Sequence, residues 1–176
     1  MALPSLFSVF LFWHFALLQP NSAQPAPSSL PTIAGIVGEP SVFALHPENV
    51  RERFASLVPL NATVTTNVLH RYVGHNAAKG IYWVMADFQP SIANRKQWTL
   101  LQLQICIDGS GSVEAAMRSN LTRKLGRPKS EGDRFYWELG DHREISLKSG
   151  SFQPPEGGPS VSGVLIEAVV LQGEPE

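Results

Sequence analysis

The strongest constraint on the fold is a period of two in the apolar residues of segment 98–108. Such alternation predicts a strand with one face in the core. The predicted core face carries Leu101, Leu103, Ile105 and Ile107, and the opposite face carries Trp98, Gln102 and Gln104. A sheet that keeps one face free of the core is typical of antiparallel pairing.

The rest of the chain extends this pattern to a whole domain. Helices are predicted at Pro47–Val58 and Ser112–Leu125, where apolar residues share one face and Pro or Gly marks an end. Further strands are predicted at Thr63–Val73, Gly80–Phe88 and Val164–Leu171, and a hairpin turns near Gly140. This hairpin sets Trp137 opposite Ile145 and Phe135 opposite Leu147. The predicted fold class is α+β, an antiparallel sheet of about six strands with two helices packed on one face.

Two segments of the chain resemble each other. Ile81–Asp87 and Phe135–Asp141 share an aromatic core and a final Asp, and each follows an amphipathic helix. One interpretation is a repeat of two related helix-then-strands halves. The other is two ordinary aromatic strands that happen to agree.

The predicted domain organisation is a signal segment at 1–23, a Pro-rich connector at 24–32 and a single α+β domain at 33–176. The apolar run at 6–18 is too short to span a bilayer comfortably, so no membrane span is expected in the mature chain. The lone cysteine, Cys106, excludes an internal disulfide and is expected to be a buried thiol. We therefore predict a periplasmic or secreted protein.

Composition restricts the function classes. The chain is 43% hydrophobic and 16% charged, which is typical of a globular domain. Its net charge of -1 provides no overall field that would attract nucleic acid. Six basic residues lie between 118 and 134, and we interpret most of that run as the solvated face of a helix.

The sharpest local motif is Asp108-Gly109-Ser110-Gly111-Ser112. It resembles the Asp-x-Ser-x-Ser loop of von Willebrand factor A domains, which implies Asp108, Ser110 and Ser112 as ligands of a divalent cation. That family also uses a Thr and an Asp from later loops, and no equivalents are identifiable in this tail. The alternative interpretation is a tight turn in which Ser112 caps the following helix, and we favour it.

No catalytic residues and no cofactor are predicted. The nucleophile-elbow pattern fails because Asp108 stands where a glycine is needed. His70 and His75 are five residues apart, a spacing that suits neither one helix face nor one strand face. No phosphate-binding loop or dinucleotide fingerprint is present.

The face opposite the core is the predicted site. We expect an exported, non-enzymatic binding module whose partner is a protein or a small ligand of unknown identity. A homodimer through the open sheet face is a further possibility. The alternative function is a metal-dependent adhesion-type domain or an enzyme centred on the Asp108 loop. The predicted ligand-binding residues on the open face are Tyr72, Tyr82, Trp98, Gln102, Gln104 and Tyr136.

Overall fold

The computed structural model describes residues 28–91, 94, 96–109 and 111–171. The predicted signal segment at 1–23 and residues 24–27 of the predicted connector lie outside these residues. The described part is an α+β fold with one antiparallel sheet of eight strands and three α-helices, so the predicted class is confirmed and the predicted count of about six strands is too low. Of the helices described, none combines the length and apolar character needed to cross a membrane.

The elements follow one another in a regular order along the chain. The helices are α1 (Leu30–Val37), α2 (Val50–Phe54) and α3 (Gly111–Leu125), with short 3₁₀ turns at Pro40–Ala44 and Ala77–Lys79. The strands are β1 (Asn61–Thr65), β2 (His70–Asn76), β3 (Ile81–Pro90), β4 (Trp98–Asp108), β5 (Lys129–Glu131), β6 (Arg134–Glu138), β7 (Arg143–Phe152) and β8 (Val161–Val170).

The strand order of the sheet is β1-β2-β3-β4-β8-β7-β6-β5. Each half of the described fold is therefore a helical part followed by a four-stranded meander, with α1 and α2 in the first half and α3 in the second, and the two fourth strands pair in the centre. This topological repetition agrees with the interpretation of two helix-then-strands halves. The similar segments do not occupy equivalent strands, however, because Ile81–Asp87 lies on the third strand of its half and Phe135–Asp141 begins on the second. The sequence similarity of these two segments therefore does not come from the structural repeat of the two halves.

The helices bury their apolar residues against one face of the sheet. In α3 the buried residues Val113, Met117 and Leu121 recur every four positions, which gives one continuous stripe. They belong to the same buried cluster as Ile105 and Ile107 of β4. We call this cluster the helix-side core.

The end of α3 is joined to the sheet by a specific hydrogen bond. Gly126 follows the helix with φ +86°, a conformation that glycine adopts without strain. Its carbonyl oxygen accepts a hydrogen bond of 2.8 Å from Nε1 of Trp137, a buried residue of β6. The helix end and the second half of the sheet are thereby held in one arrangement.

Several sequence-based predictions are confirmed residue by residue. Strand β4 has the bounds expected from its alternation, Trp98–Asp108. The hairpin of β6 and β7 pairs Trp137 with Ile145 and Phe135 with Leu147, as predicted. Helix α3 begins one residue earlier than expected and ends where expected, at Leu125.

Other predictions in the first half of the domain are wrong. The segment Thr63–Val73 was expected to be one strand, but β1 and β2 form a hairpin there. The first predicted helix is reduced to α2, while Val50, Phe54 and Leu57 are buried as expected. Helix α1 was not predicted, and it begins at Leu30, three residues before the expected start of the domain.

A matched pair of glycines tests the close packing of the sheet. A Cβ at Gly163 of β8 would lie 2.4 Å from the carbonyl oxygen of Ile107, whereas a Cβ at Gly35 of α1 would meet no atom within 4 Å. We expect Gly163→Ala to lower the free energy of unfolding by about 1–3 kcal/mol through overpacking. Gly35→Ala should raise it by about 0.5–1 kcal/mol, because alanine favours the helix. Urea denaturation measures both values, and a neutral Gly163→Ala would contradict the pairing of β4 with β8.

Candidate functional site

The face of the sheet that points away from the helix-side core is the open face. Near β2, β3 and β4 it is apolar and forms a second cluster of buried residues. Tyr82, Phe152 and Val161 pack around this cluster, and His75 of β2 contacts Glu156 of the β7–β8 loop at 3.0 Å. The cluster consists of Val73, Trp83, Met85, Cys106 and Leu165. This part of the open face is thus a small core and not a binding surface.

The remainder of the open face is polar, and Glu167 of β8 lies at its centre. Strand pairing places Gln104 directly beside Glu167, and Gln102 lies two residues earlier on β4, on the same face. Both amide nitrogens donate to Oε1 of Glu167, at 2.9 Å from Gln104 and 3.4 Å from Gln102. On the other side, Nζ of Lys148 lies 3.7 Å from Oε2. We call these four residues the Glu167 cluster.

Two further ion pairs flank the Glu167 cluster on the same face. Arg71 donates two hydrogen bonds, of 2.8 and 2.7 Å, to the two carboxylate oxygens of Asp87, which is only 4% exposed. This pairing raises the pKa of Arg71, chiefly through its hydrogen bonds to Asp87. Arg134 also pairs with a buried carboxylate, that of Glu144, through one of its guanidinium nitrogens. The two hydrogen bonds of the Arg71–Asp87 pair fix both side chains in a single geometry.

The structure divides the six predicted ligand-binding residues between two faces. Gln102, Gln104 and Tyr136 share the open face, and Tyr82 packs there at the edge of the second cluster. Tyr72 and Trp98 pack instead against the helix-side core, so their predicted place on the open face is wrong.

The error at Trp98 has a physical cause. Asp87 pairs with Gln102 but Phe88 pairs with Leu100, so Leu101 is an extra residue in β4. A bulge of this kind reverses the alternation on its two sides, and Trp98 therefore faces the helices while Gln102 does not.

Similar reasoning explains the remaining misplaced residues. Simple alternation along β3 would place Trp83 and Met85 on the same face as the buried Ile81, and Val84 on the other. An irregularity at Tyr82 shifts the register, so Trp83 and Met85 lie on the open face while Ile81 and Val84 lie on the helix side. Tyr72 pairs with Ala86 and its ring meets Phe88 edge-on at 5.9 Å, which places it on the helix side. Both faces of β2 are partly buried, and its sequence therefore does not distinguish them.

The Asp108 loop is only partly described. Oδ1 of Asp108 accepts a hydrogen bond of 3.1 Å from the hydroxyl of Tyr82, and burial followed by this bond raises the pKa of Tyr82. Ser110 lies outside the described residues. Ser112 is the second residue of α3 and not the residue before the helix, so the predicted capping position of Ser112 is wrong. Within the described ranges, no group of three His, Cys, Asp or Glu residues is placed to hold a metal ion.

Sequence reasoning missed Glu167 and Lys148. A signal for Glu167 was present, because it is the one charged residue in the apolar run Val164–Leu171. A charge in a strand buried on one face predicts either a paired partner or a functional position. Lys148 gave no comparable signal, since its place beside Glu167 depends on the pairing of β7 with β8.

No protein-family model, curated protein or solved structure matches this chain.

Cys106 provides a pH test of the second cluster. Burial raises the pKa of its thiol to about 12, whereas an unfolded cysteine titrates near about 8.5. The folded state holds the thiol proton more tightly than the unfolded state does, and this difference stabilises the folded protein. The stabilisation is complete below the pKa of the unfolded cysteine and is lost as the pH rises toward the pKa of the folded one. We expect the free energy of unfolding to fall more steeply above about pH 9 in the native protein than in Cys106→Ala. Parallel curves from urea denaturation would show that the folded thiol is accessible.

The cation-binding alternative predicts a different behaviour of the Asp108 loop. Mg²⁺ gives up its waters reluctantly and prefers six well-placed oxygen ligands, and one oxygen of Asp108 is already bonded to Tyr82. We therefore expect millimolar Mg²⁺ to leave the melting temperature unchanged in both the native protein and Asp108→Ala. A rise in the native protein that Asp108→Ala abolishes would contradict this and favour the metal-dependent alternative.

Proposed function

We propose that the chain is an exported, non-enzymatic binding module for a hydroxyl-rich ligand of the oligosaccharide type, held on the open face over the Glu167 cluster. The observation that carries this proposal is the fixed arrangement of a carboxylate, two amides and an ammonium group on three adjacent strands, with Gln104 bonded to Glu167 at 2.9 Å.

The chemistry of the Glu167 cluster suits hydroxyl groups. Gln102 and Gln104 donate to Glu167 through their amide nitrogens, which leaves their carbonyl oxygens to accept hydrogen bonds from a ligand. Lys148 supplies donors on the adjacent strand, and Tyr136 adds an aromatic ring two strands away from Glu167. A sugar hydroxyl both donates and accepts, so it can bond to either kind of group, while its ring carbons pack on an aromatic face.

The open face is a poor match for a hydrophobic protein interface. In the part of the chain that the structure describes, the exposed large hydrophobic residues are Val68 and Leu171. Neither belongs to the polar centre of the open face, where Glu167, Lys148 and Arg134 lie. The cores of protein interfaces are depleted in charged residues, so a polar ligand is favoured over a homodimer through this face.

The state of the carboxylates supports a binding role over a catalytic one. Asp87, Glu144 and Glu167 each contact a basic side chain, namely Arg71, Arg134 and Lys148 respectively. A general acid or base must be free to reach a bound substrate, and a carboxylate whose oxygens already contact a neighbouring cation is engaged in that contact instead.

Export is proposed from the apolar segment at 6–18 and the small residues that follow it.

Binding of the purified protein to an array of soluble oligosaccharides tests this function. We expect saturable binding to at least one neutral oligosaccharide. Gln104→Ala should weaken this binding about tenfold, because it removes both an acceptor and the support of Glu167. Tyr136→Ala should weaken it in the same direction.

The matched control is Gln153→Ala, which removes the same amide from the exposed β7–β8 loop. Its affinity and melting temperature should equal those of the native protein. The proposal is wrong if no oligosaccharide binds, or if Gln104→Ala binds as tightly as Gln153→Ala. Loss of binding in Asp108→Ala alone would favour the alternative site.

A further inference from the structure

We infer that a second, separate site binds a phosphate monoester in a basic groove between α3 and the β5–β6 hairpin. The groove is open to solvent and has a volume of about 530 Å³, which is in the range of small-molecule sites. It lies on the helix side of the sheet, because Phe135 in its wall packs against the helix-side core. It is therefore independent of the open face and of the function proposed for it.

Three arginines line the groove from two directions. Arg118 and Arg123 project from α3, and Arg127 lies in the connection from α3 to β5. Each guanidinium offers a planar fork of donors that matches two oxygens of a phosphoryl group. No Asp or Glu is among the lining residues.

The basic run at 118–134 separates into paired and unpaired members. Lys124, Lys129 and Arg134 each contact a carboxylate, at Glu39, Glu138 and Glu144 respectively. The positive charges of these three residues are therefore balanced within the fold.

Two of the three groove arginines behave differently. Arg118 does form an ion pair, at 3.7 Å from Glu114, whose other carboxylate oxygen also accepts a hydrogen bond from Ser149. Arg123 donates to the neutral amide oxygen of Asn120. Within the described residues, neither Arg123 nor Arg127 forms an ion pair. The groove therefore holds an excess of positive charge, which the rest of the run does not.

The helix dipole explains only part of this charge. Cations in the last turn of a helix are stabilised by its negative end, which accounts for Arg123 and Lys124. Arg118 lies in the middle of α3 and Arg127 lies beyond its end, so neither placement follows from the dipole.

The other walls of the groove define the ligand further. Ser119, Thr122 and Ser130 contribute hydroxyls that can donate to phosphate oxygens. Pro128 and Phe135 form an apolar wall, and the guanidinium of Arg118 is held 4.2 Å from the Phe135 ring centroid. A dianionic head beside the arginines and a planar organic part beside this wall fit the groove better than a bare ion does.

Calorimetric titration of the full-length protein with phenyl phosphate at low ionic strength tests the site. We expect saturable binding that is tighter than that of inorganic phosphate, which lacks the ring, and tighter than that of benzoate, which carries one charge. Arg123→Gln and Arg127→Gln should each weaken phenyl phosphate binding about tenfold, since each removes one charge-assisted contact.

Lys129→Gln is the matched control, because it removes one positive charge from the same run but from a residue paired with Glu138 outside the groove lining. It should bind phenyl phosphate as the native protein does. The inference is overturned if phenyl phosphate shows no saturable binding, if benzoate binds as tightly, or if Lys129→Gln loses as much affinity as Arg127→Gln. Unchanged melting temperatures show that the variants are folded.

Discussion

The antiparallel pairing of β4 with β8 is the interaction on which the rest of the structure depends. It runs without irregularity from Gln102 and Val169 to Asp108 and Gly163, over seven consecutive residue pairs. These strands are the last of each half, so their pairing joins two four-stranded meanders into one sheet. The same register sets Gln104 beside Glu167 and Cys106 beside Leu165, which places the polar and apolar parts of the open face next to each other. The close approach of Gly163 to Ile107 shows that this central pairing leaves no room for a side chain at position 163.

The extent to which the sequence predicts this fold depends on how local each feature is. The β6–β7 hairpin could be predicted in full register, because Trp137, Ile145, Phe135 and Leu147 must share one face and a tight turn separates them. Strand β4 and helix α3 were likewise visible as long, regular patterns. Strand β5, with only three residues, all exposed, carries no apolar pattern of its own and is defined by its pairing with β6.

The candidate site was predicted less well than the fold, and the bulges explain why. Alternation identifies a face only while the pairing is regular, and one extra residue reverses it. The extra residue at Leu101 separates Trp98 from Gln102, two residues that the sequence had placed together. The glutamines, which lie on the regular side of that bulge, were placed correctly. Glu167 and Lys148 reach these glutamines only through strands that are distant in sequence, so no local pattern could bring the four together.

The distribution of charge connects the two proposed sites and refines an argument from composition. A net charge of -1 argues against a long polyanion, since such binding needs basic residues along an extended surface. The net charge does not argue against binding of a small anion, because such binding needs only a few cations at one place. Most basic residues of the open face and of the 118–134 run are matched by carboxylates within the described fold, as at Arg71, Lys148 and Lys129. Arg123 and Arg127 of the groove are the members of that run that form no ion pair within the described residues, and a short groove of this kind suits a ligand with few charges. The open face, in contrast, pairs its charges internally and presents hydrogen-bonding groups, which favours a ligand that is polar and neutral.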